Sequence, residues 1–481
     1  MSAPVRTRFA PSPTGPLHLG NARTAILNWL FARHAGGAFV LRLEDTDTSR
    51  NVEGGEAMIL EALDWLGLDR DEDPALGGPY GPYRQSERAE RHAARALELL
   101  GSGRAFRCFC SPEELEADRD AAIAAGLPPG LDRRCRDLDP REAAAREAMG
   151  VPAAIRLRVD PGPVPFEDRL KGPLTIDGAD LGDVVLLRPD GRATYNFAVA
   201  IDDLDMRITH VIRGVGHLSN TPKQALVYRA LGMAAPEFVH IPTVLAPGGG
   251  KLSKREGARG VLEYRDDGFH PDAIVNYLSL LSWSAETGEE FLTRDELIAR
   301  IDLDRIRATD AELDPDKMRW LSGRHVRAEP AARLARRWAE FGCARGLALT
   351  HDELVRAAEV FAKRTELLAD TRPELEAVYA EPDLAGEAAR SALAEASAAE
   401  ALERAGAAWD DVEWRPDALK RALGDAADGA SVAGRAFFQP VRFALTGAPH
   451  GPDLAEVAYA LGPERTRARL ARAAEQAREA R

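Results

Sequence analysis

Cysteine is scarce. Four residues in 481 are too few for a disulfide framework and suit a reducing cytoplasm. No apolar run is long enough to span a bilayer, so no membrane-spanning segment is expected. The opening Met-Ser-Ala-Pro-Val-Arg-Thr-Arg-Phe runs straight into a strand pattern and has no signal-peptide h-region. Positive charge is in deficit: 63 Lys and Arg against 77 Asp and Glu leave a net charge of −14. Such a chain does not advertise nucleic-acid binding, and gripping RNA would require arginines concentrated on one face. There is no GxGxxG and no Walker A string, which disfavours dehydrogenase and P-loop readings. Lysine has almost vanished, with seven residues at 171, 223, 251, 254, 317, 363 and 420. Two of them stand three apart in Lys251-Leu252-Ser253-Lys254, where a compact ammonium does what a planar guanidinium fork does not.

What is present is the composition of a globular chain, 45% hydrophobic and 29% charged, long enough for two to four domains. Residues 4–45 read as strand, helix, strand. Val5–Phe9 is extended, Pro11 and Pro13 stop it, and Asn21 is the expected N-cap of a helix through Ile26, Leu27, Leu30 and Phe31, closed by Gly36-Gly37. Ala38–Leu43 reads as a second buried strand. A motif loop at the carboxyl end of the first strand is where doubly wound sheets bind nucleotides. A second such half spans 193–247, with Tyr195–Ile201 and Ile208–Ile212 strand-like, Thr221–Leu231 helical and Phe238–Leu245 a strand. About a hundred residues of different character, holding three of the four cysteines, separate the halves and read as an insertion. Beyond 270 helical periodicity dominates, as in Leu354-Val355 with Val360-Phe361. The Ala-rich stretch 387–407 reads as a surface helix.

Two strings carry the chemistry: Pro11-Ser12-Pro13-Thr14-Gly15-Pro16-Leu17-His18-Leu19-Gly20-Asn21 and Lys251-Leu252-Ser253-Lys254-Arg255. In this order they resemble the HIGH and KMSKS signatures of class I aminoacyl-tRNA synthetases. That resemblance implies that an amino-acid carboxylate is joined to the α-phosphate of ATP and then passed to a tRNA ribose. Neither step demands a side-chain nucleophile; the demand is in-line positioning and cations that spread phosphate charge. His18 on a helix-initiating turn suits a triphosphate, Gly20 lets an adenine lie against the backbone, and Lys251 and Lys254 close over the phosphates. Alone, His18 fits a turn histidine satisfying a local carbonyl, and the lysine pair a solvated loop.

The likeness then narrows to the bacterial glutamyl-tRNA synthetases. Arg8-Phe9-Ala10-Pro11-Ser12-Pro13-Thr14-Gly15 is similar to that family's opening and Leu41-Arg42-Leu43-Glu44-Asp45-Thr46-Asp47 to its second signature. Gly81-Pro82-Tyr83-Arg84-Gln85-Ser86, Tyr195-Asn196-Phe197-Ala198 with Asp202-Asp203, His217-Leu218-Ser219-Asn220-Thr221-Pro222 and Gln439-Pro440-Val441-Arg442-Phe443-Ala444-Leu445-Thr446-Gly447 follow. The family implies a Rossmann-type α/β catalytic domain with an inserted α+β domain, then an all-α anticodon-binding domain. The implied boundaries are 1–86 and 193–249 for the catalytic halves, 87–192 for the acceptor-stem insertion, 250–328 for a stem-contact region and 329–481 for the anticodon domain. His18, Lys251 and Lys254 would be catalytic. Pro11, His18, Gly20, Asn21, Lys251, Leu252, Ser253 and Lys254 would bind ATP with Mg2+. Ser12 and Glu44 would hold the glutamate α-amino group, and Arg8, Arg213 and Tyr195 its side-chain carboxylate. Guanidinium forks fit a pocket that prefers glutamate, since a neutral amide leaves buried charge unmet. Glu44 would otherwise pair with Arg42, and Arg213 would be an edge-strand surface cation. Partners are then tRNA(Glu), glutamate and ATP, with a cytoplasmic monomer expected.

Some positions depart from the family. Val215 and Gly216 stand where acidic or polar residues usually follow Arg213-Gly214, which puts ATP contacts of that segment in question. Cys108-Phe109-Cys110 and Cys135-Arg136-Asp137 resemble the Cys-x-Cys and Cys-x-His pairs with which some members hold structural zinc, with Asp137 in place of the histidine. A Cys3Asp zinc site and a decayed site of reduced cysteines both stand, the grouping favouring zinc; Cys343 reads as merely buried. Arg364 falls where family members carry an arginine near the third anticodon base, although a solvated helix arginine has the same pattern. A truncated paralogue that modifies queuosine lacks the helical tail. A relaxed enzyme charging both glutamate and glutamine tRNAs, and a silent tRNA-binding paralogue, remain as rivals.

Overall fold

The computed structural model describes residues 4–47, 49–126, 134–250 and 259–480. Lys251, Leu252, Ser253 and Lys254 therefore lie outside the described residues. The chain divides into two compact units, Met1–Glu263 with Ile274–Asp314, and Tyr264–Ala273 with Pro315–Arg481.

The first unit is organised by a six-stranded sheet. Its strands are β1 (Arg6–Phe9), β2 (Ala38–Leu41), β5 (Pro163–Asp168), β6 (Gly172–Asp177), β8 (His210–Gly214) and β9 (Glu237–Ile241), in the order β2-β1-β8-β9-β5-β6. All neighbours run parallel except the β5–β6 hairpin. Every residue of β1 is buried, including Arg6, Thr7 and Arg8, as a parallel strand covered on both faces requires. A second sheet, of β3 (Ala105–Cys108), β4 (Ala154–Leu157) and β7 (Val184–Leu187), is antiparallel and belongs to the expected insertion. The insertion is not a separate body throughout, however. Its β5–β6 hairpin extends the six-stranded sheet, Asp168 pairing with Phe238.

Three local expectations change. Tyr195–Ile201 is not a strand but the start of a helix, Tyr195–Asp205. Its five consecutive apolar residues, Phe197–Ile201, are all buried, so no amphipathic period distinguishes helix from strand. The N-cap of the helix Leu19–His34 is His18 rather than Asn21: its backbone is extended and its imidazole accepts the Asn21 N–H. Just past that helix, a side chain at Gly37 would put its Cβ 2.2 Å from the Val5 carbonyl oxygen, so β1 approaches closely only because position 37 has none. Third, the Ala-rich stretch forms two helices, Glu387–Leu393 and Ala398–Ala408. Its Ala389, Ala392, Ala398, Ala401 and Ala405 are buried while Glu387, Arg390, Glu403 and Arg404 stay exposed, so both are surface helices with one face packed inward.

The expected helix Thr221–Leu231 is present with those bounds. The second unit is all helical, its core built on fully buried Trp338, Phe361, Trp409 and Phe437. The helix Pro315–Ala328 belongs to it.

Candidate active site and thiol cluster

A buried charge cluster sits where β1, β2 and β8 end. Arg8 comes from β1, Arg42 and Glu44 from just past β2, and Arg213 from β8, while the helix Tyr195–Asp205 supplies Tyr195 and Asp203. Arg42 has no exposed surface and donates from Nη1 to Asp203 Oδ1 at 2.6 Å and from Nη2 to Glu44 Oε1 at 3.2 Å. Arg8 Nε reaches both Asp203 oxygens at 3.2 and 3.3 Å. Asp203 is thus held between two guanidiniums. Burial alone would raise its pKa, but Arg42 and then Arg8 bring it below the ordinary carboxylate range. Glu44 moves the other way: burial lifts it, against the pull of Arg42 and Arg8. An arriving ammonium would stabilise the ionised Glu44. The next carboxylate in that string, Asp45, faces elsewhere, accepting from Ser86 N at 2.8 Å and Oγ at 2.6 Å.

Arg213 is 5% exposed on an interior strand, so it is no surface cation. Its Nε donates to His240 Nε2 at 3.0 Å and its Nη2 to Thr221 Oγ1 at 2.8 Å. His240 Nε2 must therefore accept, which places its proton on Nδ1, 2.7 Å from Asp168 Oδ2. Burial, then the neighbouring Arg213, lowers the His240 pKa despite Asp168, and the ring stays neutral. This relay of carboxylate, imidazole and guanidinium fixes the fork, and leaves Arg213 Nη1 buried with no partner. A buried unpaired guanidinium N–H is costly unless something arrives to accept from it. Tyr195 and His217 line the same side, the phenol 3.1 Å from His217 Nδ1. Burial, followed by Arg213 and Arg8, takes His217 down to about 4, and burial, then Glu44, raises Tyr195, so both are neutral near pH 7.

The first motif is tied to this cluster through backbone. Glu44 N–H donates to the Pro11 carbonyl at 3.0 Å, and Thr14 N–H to that of half-buried Ser12 at 2.8 Å. His18 Nδ1 accepts from Asn21 N–H at 3.4 Å, so the neutral ring carries its proton on Nε2. A Cβ on Gly20 would lie 3.3 Å from His18 Nδ1, so glycine there keeps the imidazole unhindered.

The thiols of Cys108, Cys110 and Cys135 come within 4.8 Å of one another, with Cys110 and Cys135 sulfurs 3.5 Å apart. Sulfurs sharing a tetrahedral zinc at about 2.3 Å lie about 3.8 Å apart, so the three thiols fit that ion. Asp137 is not in this group among the described residues. Arg136 between them is held by Asp183 at 2.9 Å and Asp160 at 2.5 Å, which pins the turn. In the second unit His270, Asp272 and His325 also converge. There His270 uses both nitrogens, Nδ1 accepting from Asp272 N–H at 3.1 Å and Nε2 meeting Glu329 at 3.2 Å, as a helix-start residue does. Arg364 lies in the turn Ala362–Arg364, paired with Glu456 at 2.8 Å and with its guanidinium 6.0 Å from the centre of the Phe361 ring.

Sequence reasoning assigned no role to Asp203, Asp168 or His240. Two adjacent aspartates ending an apolar run were the one signal for Asp203. The relay had none, because Asp168 and His240 are far apart in sequence and meet through the β5–β9 pairing.

Comparison with known proteins adds the rest. Residues 4–320 match the family model described as tRNA synthetases class I (E and Q), catalytic domain, and residues 330–474 match that of an anticodon binding domain. A glutamate–tRNA ligase of Symbiobacterium thermophilum is 42% identical, covering 97% of this chain and 99% of the relative. One of Desulforudis audaxviator is 42% identical over 98% and 96%. The crystal structure of a glutamate tRNA ligase from Elizabethkingia meningosepticum, in complex with its amino acid, superposes with a TM-score of 0.79 at 31% identity, covering 98% of this chain and 99% of that one. The glutamate-tRNA synthetase of Elizabethkingia anophelis gives 0.75 at 32%, over 98% and 100%.

Proposed function

This chain belongs to the class I tRNA synthetases for glutamate and glutamine, and from that premise we infer that it is a glutamate–tRNA ligase. It activates glutamate with ATP and joins it to tRNA, and family membership implies magnesium with the ATP. The observation that carries the choice of glutamate is Arg213, a buried fork with one N–H left unpartnered beside Arg8 and Tyr195. In this reading the glutamate side-chain carboxylate accepts from Arg213 Nη1, and Glu44 with Ser12 takes the α-amino group. Glutamine would present an NH2 to a donor and leave positive charge unmet. His18 Nε2 donates a hydrogen bond to the triphosphate and Lys251 and Lys254 neutralise its charge, while Pro11, Gly20 and Asn21 shape the nucleotide's seat. Arg364 contacts the anticodon. Cys108, Cys110 and Cys135 hold a structural zinc, with Asp137 or a water as fourth ligand, and the enzyme works in the cytoplasm. No described helix is long and apolar enough to cross a membrane.

The test is ATP-dependent charging of purified glutamate and glutamine tRNAs, each offered labelled glutamate or glutamine. Glutamate on its own tRNA alone is the expected result. Glutamate on both tRNAs would make anticodon reading relaxed. No transfer with tRNA still bound would replace the ligase with a tRNA-binding module silenced at Val215-Gly216.

A further inference from the structure

Glu44 is clasped on both sides by one segment of chain. Leu43, before it, donates its N–H to the Tyr83 carbonyl and accepts from Gln85 N–H, both at 2.9 Å, with a β-bridge to Arg84 between them. Asp45, after it, accepts from Ser86 N and Oγ. Gln85 then reaches further. It opens the turn Gln85–Arg88, is 1% exposed, and donates from Nε2 to Asp202 Oδ2 at 2.8 Å.

Asp202 has no exposed surface, and its other oxygen takes Arg88 Nε at 2.6 Å and His92 Nε2 at 2.7 Å. Burial alone would raise its pKa, but the His92 bond and the charges of Arg42 and Arg88 hold it below the ordinary carboxylate range. An ionised Asp202 requires the Gln85 NH2 and turns Gln85 Oε1 toward the Thr46 hydroxyl, 3.4 Å away. Asp202 precedes Asp203, which holds Arg42, which holds Glu44. The contacts close a circuit, from Gln85 to Leu43 and Glu44, through Arg42 to Asp203, and from Asp202 back to Gln85. Docking of the helix Tyr195–Asp205 does not need the amide. Arg88, also donating to the Tyr80 and Pro82 carbonyls at 3.1 and 3.0 Å, and His92 already hold Asp202. A side chain needed only to fill the space would be apolar, since a buried amide brings no gain over a hydrocarbon of its shape.

We propose that Gln85 is a positioning residue: its backbone N–H on Leu43 and its side-chain amide on Asp202 together set the Glu44 carboxylate where it receives the α-ammonium group of the amino acid. This rests on the reading above that Glu44 takes that group. It acts on the α-amino end of the substrate and not on the side-chain carboxylate, whose fork, Arg213, is anchored separately by His240 and Thr221.

The experiment is tRNA-dependent ATP–pyrophosphate exchange by the full chain as wild type, Gln85→Met, Glu44→Gln and the double variant. Each is read for glutamate kcat/KM and for competitive inhibition by glutarate, which keeps both carboxylates and lacks the α-amino group. Gln85→Met should lower glutamate kcat/KM by about tenfold, the scale of one hydrogen bond to a charged group, while the glutarate Ki stays within about threefold. In the Glu44→Gln background Gln85→Met should cost less than about threefold, since the carboxylate it positions is gone. Either comparison decides alone where the other is too weak to read. Equal weakening of glutamate and glutarate, an undiminished loss in the Glu44→Gln background, or wild-type kinetics in Gln85→Met would overturn the proposal. Wild-type kinetics in Glu44→Gln would instead remove Glu44 from the α-amino group, and the proposal with it. Should Gln85→Met not fold, Gln85→Asn, a polar side chain one CH2 too short to reach Asp202, must show the same contrast between glutamate and glutarate.

Discussion

Replacing Arg213 with Gln is the sharpest probe of the proposed glutamate pocket. Three guanidiniums, of Arg8, Arg42 and Arg213, face two carboxylates, of Glu44 and Asp203. With both acids ionised the cluster carries one positive charge in excess, which a substrate carboxylate balances. Arg8 and Arg42 are already committed to Asp203, so the excess is effectively that of Arg213, whose Nη1 has no partner. A hydrogen bond to a charged group contributes about 1.5–3 kcal/mol, and about 1.4 kcal/mol is tenfold, so glutamate kcat/KM should fall by roughly 10- to 10²-fold. Glutamine gains nothing from a cation and should change by less than about threefold, narrowing the selectivity ratio. The assay is tRNA-dependent ATP–pyrophosphate exchange with each amino acid, beside a thermal melt that separates misfolding from misbinding. Equal losses for glutamate and glutamine at an unchanged Tm would refute the assignment of Arg213 to the side-chain carboxylate.

Two further outcomes are expected. Protein purified without chelators should contain about one zinc per chain, and Cys135→Ser should release it and lower Tm without changing exchange kinetics at low temperature; a metal-free, equally stable wild type would mark the cluster as plain thiols. His18→Ala removes both an N-cap and a phosphate donor and should cost about 1 kcal/mol of stability with its loss of exchange, whereas His18→Asn, a good cap without the Nε2 donor, should lose exchange alone. Normal exchange by His18→Asn would confine His18 to capping.

How far the sequence was legible depends on how local each signal was. The first motif string, the strands around it and the helix Thr221–Leu231 are written in short stretches, and each is where its Pro, Gly and apolar spacing puts it, while the second string lies outside the described residues. The helix Tyr195–Asp205 was misread because burial on all sides erases period. Arg213 and Glu44 could be picked out by motif, but not the reason that Arg213 points as it does. His18 as the cap rather than Asn21 hid behind composition: asparagine is the better cap in general, yet here the extended residue is the histidine. The Ala-rich stretch reads as a surface helix and is exposed on one face, but alanine is neutral about burial, so only the packing around Trp409 and Phe437 decides which alanines turn inward.

Asp168 shows why the inserted segment cannot be treated as an accessory. It ends β5, a strand from within the insertion, and its carboxylate takes N–H donors from both directions: Leu170 and Lys171 on Oδ1 at 3.1 and 2.9 Å, His240 N and Nδ1 on Oδ2 at 2.9 and 2.7 Å. Burial raises its pKa, but the His240 bond and these backbone donors outweigh it and hold it below the usual range. A depressed carboxylate contributes stability above its unfolded value, near 3.9, and loses it as pH falls toward the folded one. Wild-type stability should therefore drop on acidification below about pH 4 more steeply than that of Asp168→Asn. The same substitution reaches the pocket without touching substrate. Whichever way the amide turns, its NH2 meets a pair of N–H donors, at a cost of about 1–3 kcal/mol. If it faces His240, the imidazole must accept at Nδ1 and carry its proton on Nε2, directly against Arg213 Nε–H. The fork then loses its anchor, and the glutamate KM should rise several-fold while exchange at saturating glutamate stays near normal. A lowered Tm with an unchanged glutamate KM would show the relay to be structural only, and Arg213 to be held well enough by Thr221 alone.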